Sequence, residues 1–285
     1  MGNVSINNNT DNIVNRMSSI VEVEITEKIA FVRLNRAEKL NAINLNMFIE
    51  LASVARKLRH NKDIRAIIVS GNGPEFCTGL DVKELITKQE SVFKLLFKLI
   101  PGKPNKAQQV SYLWRQIPVP VIFAIHGKCW GGGMQIALGG DFRIAHSDSS
   151  FAIMEAKWGL IPDMGGTLAL REHVRKDIAL QLTMTGEVIN ASYAQEIGLI
   201  TKISDEPINE AIELANLLSE RSPDTVAANK ILFNKLWFAT PWRWLAWETI
   251  YQIRVFLGKN VKVAIKRQQR KEGKALPSFI KRKFK

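Results

Sequence analysis

The chain has little with which to cross-link itself, hold a metal or cross a membrane. Only two cysteines, Cys77 and Cys129, occur in 285 residues. That excludes a disulfide-stapled scaffold and points to two free thiols in a reducing, cytoplasmic setting. No apolar run reaches the roughly 18–20 residues that a membrane-spanning helix needs. Residues 1–20 are polar and Asn-rich with no apolar core, so they read as a flexible extension rather than a secretory signal. The opening Met-Gly has Ile6 where a myristoylation start carries Ser or Thr. The four histidines, His60, His126, His146 and His173, are scattered, and no metal-ligand spacing is present.

Acidic residues are scarce at one end. The chain carries a net charge of +13, and residues 254–285 hold twelve Lys or Arg against the single acid Glu272, a local +11. A basic tail of this kind can meet nucleic acid, an anionic membrane surface or a phosphate-rich ligand. It can also be a solvated helix face.

The apolar pattern divides the chain in two. Over residues 21–205 short strands alternate with helices. Val21–Glu24 and Ala30–Leu34 alternate apolar and charged residues, which predicts a hairpin of half-buried strands. Asn44–Leu58 has helical spacing with Asn44 as its cap. Ala66–Ser70, Val119–Ile125 and Phe142–Ala145 read as buried strands, and Asp81 is placed to cap a short helix. Residues 88–112, interrupted by Pro101, Gly102 and Pro104, carry no clear pattern. Over residues 206–285 the period is helical, with helices beginning at Pro207 and Pro223. There Trp237, Trp242, Trp244, Trp247 and Tyr251 crowd together, as expected of a core or an oligomer interface.

Two glycine turns are the most informative local features. Val119–Ile125 leads into Gly131-Gly132-Gly133, after which Met134–Leu138 reads as a helix start. Phe76-Cys77-Thr78-Gly79-Leu80-Asp81 makes a similar turn upstream. Glycine allows close approach of backbone to ligand, and N–H groups freed at such turns can hold a developing oxyanion. Together with Leu34-Asn35-Arg36-Ala37-Glu38-Lys39-Leu40-Asn41-Ala42 and Gly159-Leu160-Ile161-Pro162-Asp163-Met164-Gly165-Gly166-Thr167, these motifs stand in the order and spacing of a known family. The chain resembles the enoyl-CoA hydratase/isomerase (crotonase) superfamily, over roughly residues 21–205 and more weakly into the tail.

The resemblance implies an α/β spiral of ββα units followed by a C-terminal helical region that builds a homotrimer or hexamer. It implies an acyl-CoA substrate, with coenzyme A as part of that substrate and no tightly bound cofactor. It places the oxyanion donors at the backbone N–H groups of Leu80 and Gly132. Family hydratases carry a glutamate two residues after the triple glycine and another about 20 residues later. Here Gln135 and Glu155 stand at those places, and an amide cannot serve as a carboxylate acid or base. Asp163 adds a carboxylate at a position used by dienoyl-CoA isomerases of the family. The expected reaction is therefore double-bond isomerisation of an enoyl- or dienoyl-CoA, with Glu155 as base and Asp163 as a second acid/base. The alternatives are hydration with Gln135 in place of a glutamate, or a catalytically reduced homologue that binds CoA or RNA through its basic tail. By the same resemblance Lys39, Leu40, Ala42, Thr78 and Lys83 line the CoA path, and Phe279 and Arg282 reach CoA from the tail, within one chain or across a subunit boundary. Asp141 and Arg143 read as structural, and His126 as a packed turn residue.

Overall fold

A computed structural model describes residues 19–87, 89–269 and 275–284. The extension expected over residues 1–20 therefore lies, as far as residue 18, outside the described residues.

The chain opens with the predicted hairpin, β1 (Val21–Thr26) and β2 (Ile29–Leu34). It reverses through Glu27 and Lys28, both at positive φ, the two-residue geometry that matches strand twist. Helix α1 (Leu45–His60) follows, and the Asn44 side chain accepts from Met47 N at 3.0 Å as the foreseen cap. After β3 (Ala66–Gly71) come α2 (Val82–Thr87), α3 (Gln89–Leu96) and α4 (Lys106–Gln116). Next are β4 (Val121–Ile125), β5 (Lys128–Trp130), α5 (Gly132–Ala137), β6 (Phe142–Ala145) and β7 (Ser150–Ala152). A 3-10 turn at Glu155–Trp158 precedes α6 (Gly166–His173), α7 (Lys176–Thr185), β8 (Val188–Asn190), α8 (Ala191–Glu196) and β9 (Lys202–Ile203). The chain continues through α9 (Pro207–Ser219), α10 (Pro223–Leu236), α11 (Pro241–Phe256) and α12 (Lys259–Gln268).

Six strands form one sheet in the order β1-β2-β3-β4-β6-β9, parallel apart from the opening hairpin. A smaller sheet, β5-β7-β8, lies alongside, and an isolated bridge between Cys77 and Cys129 extends it towards the first glycine turn. The windings that start at β3, β4 and β6 thus each give one strand to the large sheet, then a bridge or strand to the small sheet, and then helix. This is the expected spiral of ββα units. The short strands of the small sheet escaped sequence reading because three residues carry no measurable period.

Alternation along the central strands assigns their two faces. Ile67, Val69, Val121, Phe123 and Ile125 enter the main core with Trp114 and Phe48, whereas Ile68, Ile122, Ala124 and Ile144 pack against Ala211 and Ala215 of α9. A third cluster joins α10, Tyr251 of α11 and Phe284 of the tail. The unreadable region 88–112 resolves into α3 and α4. The start of α4 is fixed by a capping box in which Asn105 and Gln108 exchange side-chain-to-backbone hydrogen bonds of 2.8 and 3.0 Å. That Asn-x-x-Gln signal, directly after Pro104, was available in the sequence.

Candidate active site

The two glycine turns are brought together by backbone pairing: Cys77 N donates to Lys128 O at 2.9 Å and Trp130 N donates to Cys77 O at 3.0 Å. The first turn is also tied to the residues before α1. Ile43 N donates to Gly79 O at 2.7 Å and Asp81 N donates to Ile43 O at 3.0 Å. These bonds use the groups on either side of Leu80, so the Leu80 N–H points the other way, as alternation in a strand requires. Gly79 sits at φ +98°, and Gly131 at φ +50° donates its N–H to Ala152 O at 2.7 Å. Both are left-handed conformations that side chains disfavour. A methyl group on Gly79 would lie 3.1 Å from Trp130 O and 3.6 Å from Gly132 N, so the turns are in contact. Gly132 begins α5, where N–H groups have no intrahelical partner. Among the described residues neither Leu80 N–H nor Gly132 N–H has a hydrogen-bond acceptor.

Next to these donors lies a buried carboxylate. A methyl group at Gly131 would lie 3.7 Å from Glu155 Oε1. Glu155 opens the 3-10 turn and is 5% exposed. Gln135, on the first turn of α5, donates through Nε2 to Glu155 Oε1 at 2.6 Å. The Gln135 carbonyl oxygen accepts from Met164 N at 2.8 Å and Gly166 N at 3.2 Å. The Gln135 amide is thus fixed at both ends, its orientation dictated by donors on one side and an acceptor on the other. Glu155 Oε2 is buried and has no hydrogen-bond partner among the described residues. Burial lifts the Glu155 carboxyl above the ordinary carboxylate range. The Gln135 hydrogen bond opposes part of that shift, and the charge of Asp163 adds to it. Burial also raises the Asp163 carboxyl.

Glu155 and Asp163 line one cavity of about 610 Å³ with Leu80 and Met164. Its remaining walls are apolar: Phe48, Val82, Leu95, Leu96 and Ala107 from α1 to α4, and Trp158, Leu160 and Ile161 from the loop after β7. Two free N–H donors, an incompletely satisfied carboxylate and an apolar cleft can hold a developing oxyanion while a proton moves nearby.

Comparison with known proteins agrees with this constellation. The family model for enoyl-CoA hydratase/isomerase matches residues 24–251. The chain belongs to that family. It is 31% identical over 218 residues to a short-chain-enoyl-CoA hydratase of Clostridium acetobutylicum, covering 75% of this chain and 81% of that one. It is 31% identical over 221 residues to the mitochondrial Delta(3,5)-Delta(2,4)-dienoyl-CoA isomerase of Mus musculus, covering 75% and 68%. The crystal structure of an enoyl-CoA hydratase from Bacillus anthracis superposes with a TM-score of 0.81 at 26% identity, covering 91% of this chain and 98% of that one.

Within this family member the expected CoA-path residues divide into two groups. Lys39, Leu40 and Ala42 form a turn against Thr78. The Leu40 carbonyl accepts from both Thr78 N and Thr78 Oγ1 at 3.2 Å, and the Ala42 carbonyl accepts from Arg36 Nη1 at 2.8 Å. Arg36 also pairs with Asp81 at 2.9 Å, which ties this turn to the start of α2. Lys83 stands exposed in the first turn of α2. These residues flank Leu80. Phe279 and Arg282 do not. Arg267 lies over the Phe279 ring at 4.9 Å. Arg282 is 2% exposed and donates to the carbonyls of Asn61, Ile64 and Arg59 at 2.6, 3.1 and 3.3 Å. Those carbonyls lie at the end of α1 remote from Leu80, so Arg282 is a buried anchor of the tail and not a CoA contact within this chain.

The residues expected to be structural are so. Asp141 accepts from Val121 N at 2.8 Å, Arg143 donates to Leu199 O and Gly140 O, and His126 Nε2 hydrogen-bonds the Gly73 carbonyl at 2.9 Å. Burial pushes the Cys77 thiol up to about 12 and holds Cys129 well above its ordinary value, so both stay protonated. Sequence reading missed Lys230. Its ammonium, buried under α10, pairs with Asp141 at 2.6 Å and donates to Trp114 O and Val119 O. A lone lysine in a helix carries no signal of that kind.

Proposed function

We propose that the protein is an acyl-CoA enzyme that moves a carbon–carbon double bond along an enoyl- or dienoyl-CoA through a thioester enolate. The observation that carries this reading is the 2.6 Å hydrogen bond from Gln135 to Glu155 Oε1, which leaves the buried Oε2 without a partner among the described residues, beside the Leu80 and Gly132 N–H donors. Glu155 Oε2 removes a proton from the carbon next to the thioester carbonyl, and the electron pair moves onto the thioester oxygen. Leu80 N–H and Gly132 N–H hold that oxygen, an arrangement of the kind whose single donors are worth roughly 3–4 kcal/mol. The proton then returns at the far end of the conjugated system, from Glu155 itself or from Asp163. No atom is gained or lost, and no activated water is required. Gln135 acts as the positioning group for Glu155. Its oxygen is already held by two backbone donors, and an amide cannot take a proton from water.

Coenzyme A enters only as part of the substrate, along the Lys39–Ala42 and Thr78 edge. The exposed apolar residues of α11, among them Trp242, Leu245, Ile253 and Phe256, are the surface proposed for assembly into a trimer or hexamer. The RNA-binding alternative is weakened because Arg282 is buried and Lys281 pairs with Asp63 at 2.9 Å, which removes charge from the tail's free surface.

The test is incubation with 2-enoyl-, 3-enoyl- and 3,5-dienoyl-CoA in D2O, followed by mass spectrometry. Double-bond migration at constant mass, or deuterium uptake at carbon, supports the reading. Gain of the mass of water overturns it in favour of hydration, with Asp163 as the second carboxylate.

A further inference from the structure

The cleft holds more apolar space than a short acyl group needs. Its volume of about 610 Å³ lies in the range that encloses a drug-sized ligand, several times the bulk of a four-carbon chain. Its two carboxylates, Glu155 and Asp163, both line the side formed by the loop after β7. The lining also includes Phe48, Leu95, Leu96 and Ala107, a wall from three different helices that presents only hydrocarbon. Phe48, Leu95 and Ala107 are almost fully buried and pack against the core, whereas Leu96 is 43% exposed and stands at the rim. No cation stands among the described residues that line the cavity.

We propose that the cleft selects neutral aliphatic acyl chains well beyond four carbons, and that Ala107 sets the length accepted. This rests on the acyl-CoA reading above. The thioester oxygen is held at Leu80 and Gly132 and the reacting carbons lie beside Glu155, so the remaining chain enters the hydrocarbon wall. Each methylene that moves from water onto that wall tightens binding about fourfold until the space is full. A chain ending in a carboxylate would set its charge against hydrocarbon with no cation to answer it, and binds more weakly than its neutral counterpart. Ala107 is the smallest side chain on the wall and stands in the first turn of α4, whose position is fixed by the Asn105 capping box. A larger residue there takes volume from the cavity that Ala107 lines.

The experiment is calorimetric binding of saturated butanoyl-, hexanoyl-, octanoyl- and dodecanoyl-CoA, with an ω-carboxyhexanoyl-CoA as the charged probe. The variants are Ala107→Val and Ala107→Phe, each checked for native melting. The expected result for the wild type is a dodecanoyl-to-butanoyl affinity ratio of at least 100. That ratio falls stepwise in the Val and Phe variants, and the charged probe binds at least tenfold more weakly than hexanoyl-CoA. Affinity independent of chain length in the wild type overturns the proposal. So does a folded Ala107→Val variant with an unchanged ratio. Saturated thioesters cannot be isomerised or hydrated, so the length trend is read whatever the reaction. A clear trend without turnover of any enoyl-CoA supports the selectivity and overturns the isomerase reading alone.

Discussion

Replacing Gln135 by glutamate restores a second carboxylate at the place where family hydratases carry one, and the geometry dictates what it must do. One oxygen of the new side chain keeps the acceptor role towards Met164 N and Gly166 N. The other takes the place of Nε2, which now stands 2.6 Å from Glu155 Oε1. At that separation two acceptors are held together only by a shared proton. With charge centres about 4 Å apart and an effective dielectric of about 20, two carboxylates repel by ~4 kcal/mol. That is enough for the pair to keep one proton at neutral pH. The folded variant therefore binds one more proton than its unfolded chain over the window between the ordinary glutamate range and the raised value of the pair. Stability relative to wild type must fall as pH rises through that window, with a slope approaching about 1.4 kcal/mol per pH unit for one proton. In wild type Glu155 already holds a proton up to its own raised value, so the difference between the two proteins opens above that value. Urea denaturation of Gln135→Glu and wild type at intervals from pH 5 to pH 8 reads the slope directly. At the acidic end of that range the two proteins differ little, and the variant weakens relative to wild type towards neutral pH, by at most about 1.4 kcal/mol per pH unit. Superimposable pH profiles would refute the reasoning, because they would mean that no proton bridges the two side chains and that the contact is not as short as described.

Three further outcomes follow from the same geometry. Because burial raises the Glu155 carboxyl, the acidic limb of kcat/KM against pH, where the base becomes protonated, falls at a higher pH than for an ordinary glutamate near 4.3. Glu155→Gln lowers turnover by on the order of 100-fold or more, whereas a limb at or below the ordinary range argues against Glu155 as base. Gly132→Ala brings a methyl group to 2.9 Å from Ile43 Cδ1 and 3.1 Å from Met164 Sδ. It should cost about 1–3 kcal/mol of stability and lower kcat far more than it raises KM, as steady-state kinetics and thermal melts will report. Arg282→Ala removes the guanidinium that donates to three carbonyls. It destabilises by about 2–4 kcal/mol and speeds hydrogen exchange in residues 275–284, with the KM for acyl-CoA unchanged; a raised KM with native stability would return Arg282 to the substrate.

Much of the fold was legible because it rests on short-range signals. The β1–β2 hairpin, the Asn44 cap, the Asp81 side chain that accepts from Glu84 N at 3.2 Å, and the proline starts of α9 and α10 each follow from a few neighbouring residues. The two glycine turns were legible as turns for the same reason. Their contact was not, because it depends on the bridge from Cys77 to Cys129, which joins segments far apart in the chain.

Gln135 and Arg282 mark the limit most clearly, and for one reason. A sequence reports which donors and acceptors a side chain carries but not which of them the fold has already satisfied. Gln135 could be seen to lack a carboxylate. That its oxygen is held by Met164 and Gly166 while its nitrogen bonds Glu155 depends on a turn some 30 residues onward, and the positioning role proposed for it rests on that arrangement. Arg282 stands in a strongly basic tail, where composition suggests an anionic partner outside the protein. Yet its charge is answered by the carbonyls of Asn61, Ile64 and Arg59, while Asp224 holds Asn260 and the Lys283 backbone beside it. A guanidinium needs acceptors, and the ends of a helix supply carbonyls as readily as a phosphate supplies oxygens. Net charge is therefore a poor guide to the partner of any one arginine. The tail's capacity for an outside anion has to be counted from the cations that remain exposed, such as Lys259, and not from the +11 of its sequence.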